Sequence, residues 1–387
     1  DYLPGLSLTE KEQVLRKLSY AQYLLEHCGV HEDTLKVLQT FPHDLFAVGI
    51  DAVSAWSCYH GTDDYGAHVY PGFDGLGLAP TEASEPYIYH FPDGNASIAR
   101  LLVRALIPEA IPGSTMHDVV LSRADYSKLD VPTQRVRIRL NSTAVQATHA
   151  LGTDQSKFAS VVYVKQQRLH RVKARHAVLA CYNAMIPYLC PELPQAQKAA
   201  LRYLVRMPLV YTHVALRDWT AFHRLGLRQI VSPGSFYSFT SLDFPVSLGG
   251  YQFPSKPEEP AVLFMLRVPC KPGLPRRDQN RAGRAELLAT PPETYEREAR
   301  QQLGRMFAEL GFDAERDIAA VTVNRWAHGY AFIPNRLFDP EWEEAERPWV
   351  IGRKPWGNYA IANSDAGASA YMDVAIDQAS RAVDELV

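Results

Sequence analysis

Apolar residues at Val14, Leu15, Leu18, Leu24 and Leu25 recur at helical spacing through SLTEKEQVLRKLSYAQYLLEHC, with Ser7 or Thr9 as a cap before them. The pattern predicts a surface helix with one buried face. HEDTLKVLQTF is a shorter helix closed by Pro42, and LFAVGIDAVSAWSCYH is a third, more apolar one. NASIARLLVRALI reads as a helix with Asn95 as its cap after the Asp93-Gly94 turn.

From Val131 the period shortens from 3.6 to 2. RVRIRLNSTAVQATHA alternates Val136, Ile138 and Leu140, and FASVVYVKQQRLHRVKARHAVLAC supplies further strands, the last of them, HAVLAC, with the continuous apolar character of a buried strand. AMIPYLCPELPQAQKAALRYLVRMP is turn, cap and helix; LVYTHVALR and AVLFMLRVP are strands of a second sheet region. A charged stretch then carries one helix from about Pro291 to Leu310, which Gly311 terminates. IAAVTVNRWAHGYAFI is a strand, and the tail from Ala360 runs strand, tight turn, helix. The whole predicts an α/β chain of mixed α+β character.

Between the early helices and Asn95 lies GTDDYGAHVYPGFDGLGLAPTEASEPYIYHFPDG, rich in glycine, proline and aromatics but poor in helix and strand formers. Long ordered loops of this kind tend to carry function. Its GFDGLG is not read as a phosphate loop, because no strand precedes it and no helix follows.

A chain of 387 residues can bury more than one core. Its 40 Lys+Arg against 43 Asp+Glu leave a formal net charge of -3, which argues against a protein held to nucleic acid by phosphate neutralisation. Cys28, Cys58, Cys181, Cys190 and Cys270 show neither CxxC nor Cys/His ligand spacing, and no HExxH, GxSxG or GK[ST] occurs, so no metal site is indicated. No apolar run approaches the roughly 18 residues a membrane span needs. The sequence does not choose between periplasm and cytoplasm. Because Asp1 is not an initiator, the chain is expected to be a fragment, a cleavage product or one subunit.

Two stretches could carry chemistry. In YAIANSDAGASAYMDVAIDQASRAV, a small-residue turn holding Asp365 separates a strand from a helix. Such a turn permits close approach of a flat ligand or a phosphate, and the helix start offers orphan N–H donors and positive potential; ordinary tight packing is the competing reading. In NRWAHGYAF, alternation places Trp326, His328 and Tyr330 on one face, either as a pocket wall for a cationic or planar ligand or as core packing.

Taken together, PGFDGLGL, FPDGNASIARLLVRALIP, HAVLACYNAMIPYL, NRWAHGYAF and GRKPWGNYAIANSDAGASAYMDVAIDQASRAV resemble the flavin amine oxidase superfamily, nearest within it to the bacterial spermidine dehydrogenases and their relatives. The resemblance implies an FAD-binding Rossmann-like domain, incomplete here, interleaved with a substrate domain of mixed sheet and helices. On that scheme residues 1–90 are a helical and loop part of the substrate domain, 91–190 a part of the FAD domain with a small sheet, 191–325 the substrate domain, and 326–387 the return to the FAD domain.

By the same resemblance, Asp365 would lie by the ribityl-pyrophosphate region, and the backbone around Tyr371, Met372 and Asp373 would face the pyrimidine edge of the flavin. A helix start suits that place, since reduced flavin gains negative charge there. Asn95 would set a helix start at the cofactor, Val136 would lie on its adenine side, and Trp326, His328 and Tyr330 would form the catalytic aromatic wall.

The implied activity is oxidation of a C–N bond in an amine, with a polyamine such as spermidine as one candidate. Carboxylates for its distant ammonium groups would come from Asp63, Asp64, Asp74 and Glu82. An acceptor other than oxygen is expected to take the electrons, through haem in some relatives, with His60 and His68 the histidines that would then matter. The family's opening strand, GxGxxG turn and helix have no match in this sequence. A second chain, or a preceding segment, is therefore expected to supply them. Two other readings stay open: a flavin oxidoreductase acting on an amino acid or an apolar, carotenoid-like substrate, and a non-catalytic scaffold subunit.

Overall fold

The structure, a computed structural model, describes residues 1–60, 70–78, 89–151 and 157–387. The N-terminal apolar pattern folds as two helices, α1 (Leu8–Lys17) and α2 (Tyr20–Glu26). The break has a local cause. Ser7 with Glu10 and Ser19 with Gln22 each form a complete capping box, so a second helix start interrupts what the spacing reads as one helix. After α3 (Glu32–Leu38), the third apolar segment is helical only at its two ends, in α4 (His43–Phe46) and α5 (Ala55–His60).

The buried rings of Tyr20 and Tyr23 stack on Phe73 at 5.5 and 5.2 Å, and their hydroxyls donate to the carbonyls of Pro71 and Gly72 at 2.6 Å each. Apolar burial and two satisfied phenols thus fix the loop at 70–78 to this helical layer.

In α6 (Asn95–Leu106) the N-cap is Gly94, with no side-chain cap, so Asn95 is the first helical residue and not the cap its type suggested. Residues 136–140 are not a strand either: Val136 and Ile138 pack irregularly against buried Ile107, Ile111 and Val119 beneath α6.

The period-2 pattern is realised further on, as an antiparallel sheet in the order β1 (Thr143–Leu151), β2 (Lys157–Lys165), β3 (Arg168–Ala174). β4 (Ala177–Leu179) follows, and α7 (Ile186–Leu189) and α8 (Gln195–Tyr203) lead to the second sheet.

That sheet is antiparallel, in the order β6-β7-β8-β5-β9, and comprises β5 (Met207–Leu216), β6 (Gln229–Val231), β7 (Phe239–Leu242), β8 (Ala261–Arg267) and β9 (Ile318–Tyr330), with α9 (Thr220–Leu225) between β5 and β6. The charged stretch is two helices, α10 (Arg276–Ala289) and α11 (Pro292–Phe307). They bury one face of the sheet, where Val214, Leu263 and Met265 meet Ala299, Leu303 and Phe307. The opposite face is aromatic.

β9 leads through α12 (Ala314–Asp317) before it and α13 (Pro348–Gly352) after it to β10 (Tyr359–Ile361) and α14 (Met372–Asp384). β10 pairs in parallel with β4. Tyr359 locks this pair to the first sheet: its hydroxyl donates to Thr148 O at 2.7 Å and accepts the Ser160 N–H at 2.9 Å.

His43, 6% exposed, joins α4 to the chain near Cys270, whose Sγ lies 3.8 Å from Nε2. Burial, with Arg267 adding to it against Asp51, lowers its pKa to about 4. An unfolded histidine takes its proton near pH 6.5. Between those values the unfolded chain holds a proton the native one excludes, so stability is full above about pH 6.5 and falls as pH drops toward about 4, by up to ~3 kcal/mol. Urea midpoints across this range should show that slope, and His43→Gln should flatten it.

Candidate active site

The tail of the chain builds the first half of the site. After β10, Asn363 accepts the Ala366 N–H at 3.1 Å and donates to Cys181 O at 2.7 Å and to Asn183 Oδ1 at 2.8 Å, which fixes the turn at Ser364–Gly367 to the end of β4. Asp365, fully buried, accepts the Asn183 N–H at 3.0 Å. Its other oxygen lies 3.0 Å from Arg206 Nη1, an ion pair whose N–H is not aligned as a hydrogen bond. A side chain at Gly367 would begin 2.3 Å from Val374 Cγ1, so the turn is pressed onto α14. No side chain caps the start of α14, and its first N–H groups have no intrahelical partners.

The aromatic face of the five-stranded sheet forms the second half. Tyr211 meets Trp326 edge-on at 4.9 Å and Phe264 at 4.8 Å, and its hydroxyl lies 2.5 Å from that of Tyr330. Burial drives the Tyr330 phenol far above its usual pKa, with Tyr211, Asp44 and Tyr371 adding to the effect. α4 lies beside this wall, because its cap residue Ala47 is buried in one cluster with Met207, Tyr211 and Tyr330. Trp326 is 39% exposed, so the wall opens to solvent.

Plain alternation fails between them. Met207 pairs with Tyr330 and Leu209 with Trp326, so residues 327–329 of β9 oppose Pro208 alone. This bulge re-aims the middle residues. Ala327 packs on Val210, Leu287 and Tyr295 toward α10 and α11, and His328 leaves the Trp326–Tyr330 wall to meet Tyr182 at 5.2 Å. Burial, reinforced by Arg284 and Arg206, lowers the pKa of His328 to about 4. Arg206 also lies over the Tyr182 ring, 4.5 Å from its centroid. Through Arg206 and Tyr182, then, His328 and Asp365 belong to one cluster.

The structure therefore gathers Trp326, His328, Tyr330, Tyr371 and Asp365, with Met372 and Asp373 in the first turn of α14. Val136 and Asn95 belong to the α6 unit instead: Val136, half-buried, packs against its core, and Asn95 lines a cavity of about 470 Å³ with Phe91, Ile98 and Met116. Asp74 is exposed, while Asp63, Asp64, Glu82, His68 and the side chain of His60 lie outside the described residues. Among the described residues no group of His, Cys, Asp and Glu could hold a metal ion.

Tyr182, Asn183, Arg206, Tyr211 and Arg284 were missed by sequence reasoning. Tyr211 left a signal as an aromatic in the alternating run LVYTHVALR, and Tyr182 and Asn183 lie within HAVLACYNAMIPYL, whereas Arg206 and Arg284 left none.

The residues present fit FAD. The start of α14 offers free N–H donors to an anionic ring edge, and the fully buried Asn183 has an amide nitrogen without a partner beside the turn.

No family model matches the sequence, and no protein of curated function matches it. Solved structures do resemble it. Cyclohexylamine oxidase from Brevibacterium oxydans IH-35A superposes with a TM-score of 0.52 at 14% identity, over 99% of this chain and 76% of its own. Putrescine oxidase bound to putrescine gives 0.50 at 13% identity, over 99% of this chain and 77% of its own. A single-site mutant of putrescine oxidase gives 0.51 at 13%, over 97% and 68%. The chain thus has the mixed helix-and-sheet fold that these amine oxidases share.

Proposed function

We propose that this chain forms the substrate site and part of the cofactor site of an FAD-dependent amine-oxidising enzyme. The observation that carries the reading is the tie that Arg206 makes, from Asp365 to Gly329 O, between the tightly packed turn before an uncapped 13-residue helix and the strand that bears an open aromatic wall. Likeness to the fold of two amine oxidases supports it.

When bound, FAD would accept a hydride equivalent from the α-carbon of the amine. The chain's own residues bind and orient. Tyr211, Trp326 and Tyr330 flank the substrate with apolar and π surface, which displaces water from the carbon to be oxidised. The N–H groups at Met372 and Asp373 and the dipole of α14 favour negative charge near them. The imine product then adds water and splits to an aldehyde and an amine.

A diamine or polyamine is the substrate we favour. Asp44 is exposed on α4, whose cap residue Ala47 is buried against Tyr211 and Tyr330, so this helix brings a carboxylate close to the wall for a distant ammonium. Trp326 offers the same cation its ring face.

The GxGxxG segment belongs to this proposal as a partner polypeptide or a further stretch of the same protein. In support, among the described residues β4 and β10 form a parallel pair with no further strand beside it, whereas parallel sheets are normally buried on both faces. Val178 on β4 is 43% exposed and Ala180 beyond it is exposed as well. Fluorescence titration tests the reading: FAD should be held tightly only when a GxGxxG-bearing segment is present, and native mass spectrometry should find the two together. A preparation in which no such segment raises flavin affinity would refute it.

A further inference from the structure

The bulge in β9 is gripped from both sides. Arg284 on α10 donates from Nε to Ala327 O at 2.8 Å, and from Nη2 to Arg206 O at 2.8 Å. Arg206 donates from Nη2 to Gly329 O at 2.8 Å and from Nε at 3.3 Å. The carbonyls on either side of His328 are thus each held by a guanidinium, and Arg206 is itself anchored by buried Asp365. Gly329 admits no side chain, because a Cβ would lie 2.8 Å from Met207 O and 2.9 Å from Leu209 Cδ1.

At the apex, no protein hydrogen bond among the described residues reaches either ring nitrogen of His328, although the ring is half-buried. An imidazole so placed is available to a ligand. We propose that Arg206 and Arg284 are positioning residues that hold His328 at the apex of the bulge as the hydrogen-bond acceptor orienting the N–H of a neutral amine. The proposal rests on the amine-oxidising reading, and it adds a reason for two cations in a site that takes amines. The groups that face His328 are Tyr182, Arg206 and Arg284, with Asp365 behind Arg206. Burial, reinforced by the two guanidiniums, keeps the imidazole neutral, hence an acceptor, and the same positive charge disfavours protonation of the amine nitrogen bound against it.

The experiment follows the His328 ring signals by NMR through an acid titration, assigned by their loss in His328→Gln, with and without butylamine. The full chain is used, together with any FAD-completing partner. In the unsubstituted protein the ring should titrate at about 4, and butylamine should shift its signals at about pH 9–10, where a good share of the amine is neutral. Arg284→Gln should raise that pKa by about one unit or more and lower kcat about tenfold with little change in KM. Arg284→Lys, which keeps the charge without the planar fork, should restore the titration but not the rate. A His328 titration untouched by Arg284→Gln, or ring signals that butylamine leaves in place, overturns the proposal. If no amine is oxidised at all, the functional reading fails separately, because the titration and the butylamine shift are read without turnover.

Discussion

Replacing Asp365 with alanine is expected to cost about 3–5 kcal/mol of stability and to abolish tight FAD retention. The stability figure is that of a buried pair broken by removing one partner, which leaves the other charge uncompensated in a dry site. Asp365 is fully buried, the Arg206 side chain is 10% exposed, and the same carboxylate accepts the Asn183 N–H, so one substitution strands a guanidinium and a backbone donor together. The turn Ser364–Gly367 then loses its tie to β4, and α14, packed on that turn at Gly367, is free to shift. Asp365→Asn separates the parts. An amide can still accept from Asn183 but cannot neutralise Arg206, so its loss should be large yet smaller than that of alanine. Guanidinium unfolding midpoints of the two variants check the order, and flavin fluorescence checks retention.

The second large effect is expected from Gly329→Ala. The new methyl would meet a backbone oxygen, Met207 O, at 2.8 Å and Leu209 Cδ1 at 2.9 Å, and a backbone oxygen yields only if the strand moves. Overpacking of this kind costs about 1–3 kcal/mol. The bulge is the element that can give, and it carries His328 away from Tyr182 and out of the reach of Arg206. We expect kcat to fall by a factor of ten or more while KM for the amine changes little, since Trp326 and Tyr211 lie on β9 and β5 outside the bulge. Steady-state kinetics with a primary amine decide it. A loss confined to KM would mean that the wall, and not the bulge, had moved.

Those two positions also mark what the sequence could and could not disclose. The tail was legible as strand, small-residue turn and helix because each part has a local signature: apolar YAIAN, then SDAGASA, then helical spacing. Its ligand was not. The partner of Asp365 is Arg206, far away in sequence, and no spacing rule joins them. At β9, alternation correctly paired Trp326 with Tyr330 but misplaced His328, because a bulge is set by what the facing strand lacks, here at Pro208. Asn95 looked like a cap by residue type, yet the preceding glycine, at φ 63°, takes the cap position. Val136 alternates as a strand residue would, but the first sheet begins at Thr143 and leaves that segment as packing for α6. In each case tertiary contacts decided what local pattern could only suggest.

The central claim is that the turn and helix start at Asp365 and Met372 stand with the aromatic wall of Tyr211, Trp326 and Tyr330 around one flavin and one amine. The direct measurement is the absorbance of the FAD-loaded protein, completed by its GxGxxG-bearing segment, on anaerobic addition of a primary amine or diamine. Bleaching of the oxidised flavin bands, lost in Trp326→Ala at low amine and recovered at high amine, is the predicted result. A protein that holds FAD yet keeps its oxidised spectrum with every amine offered would contradict the account.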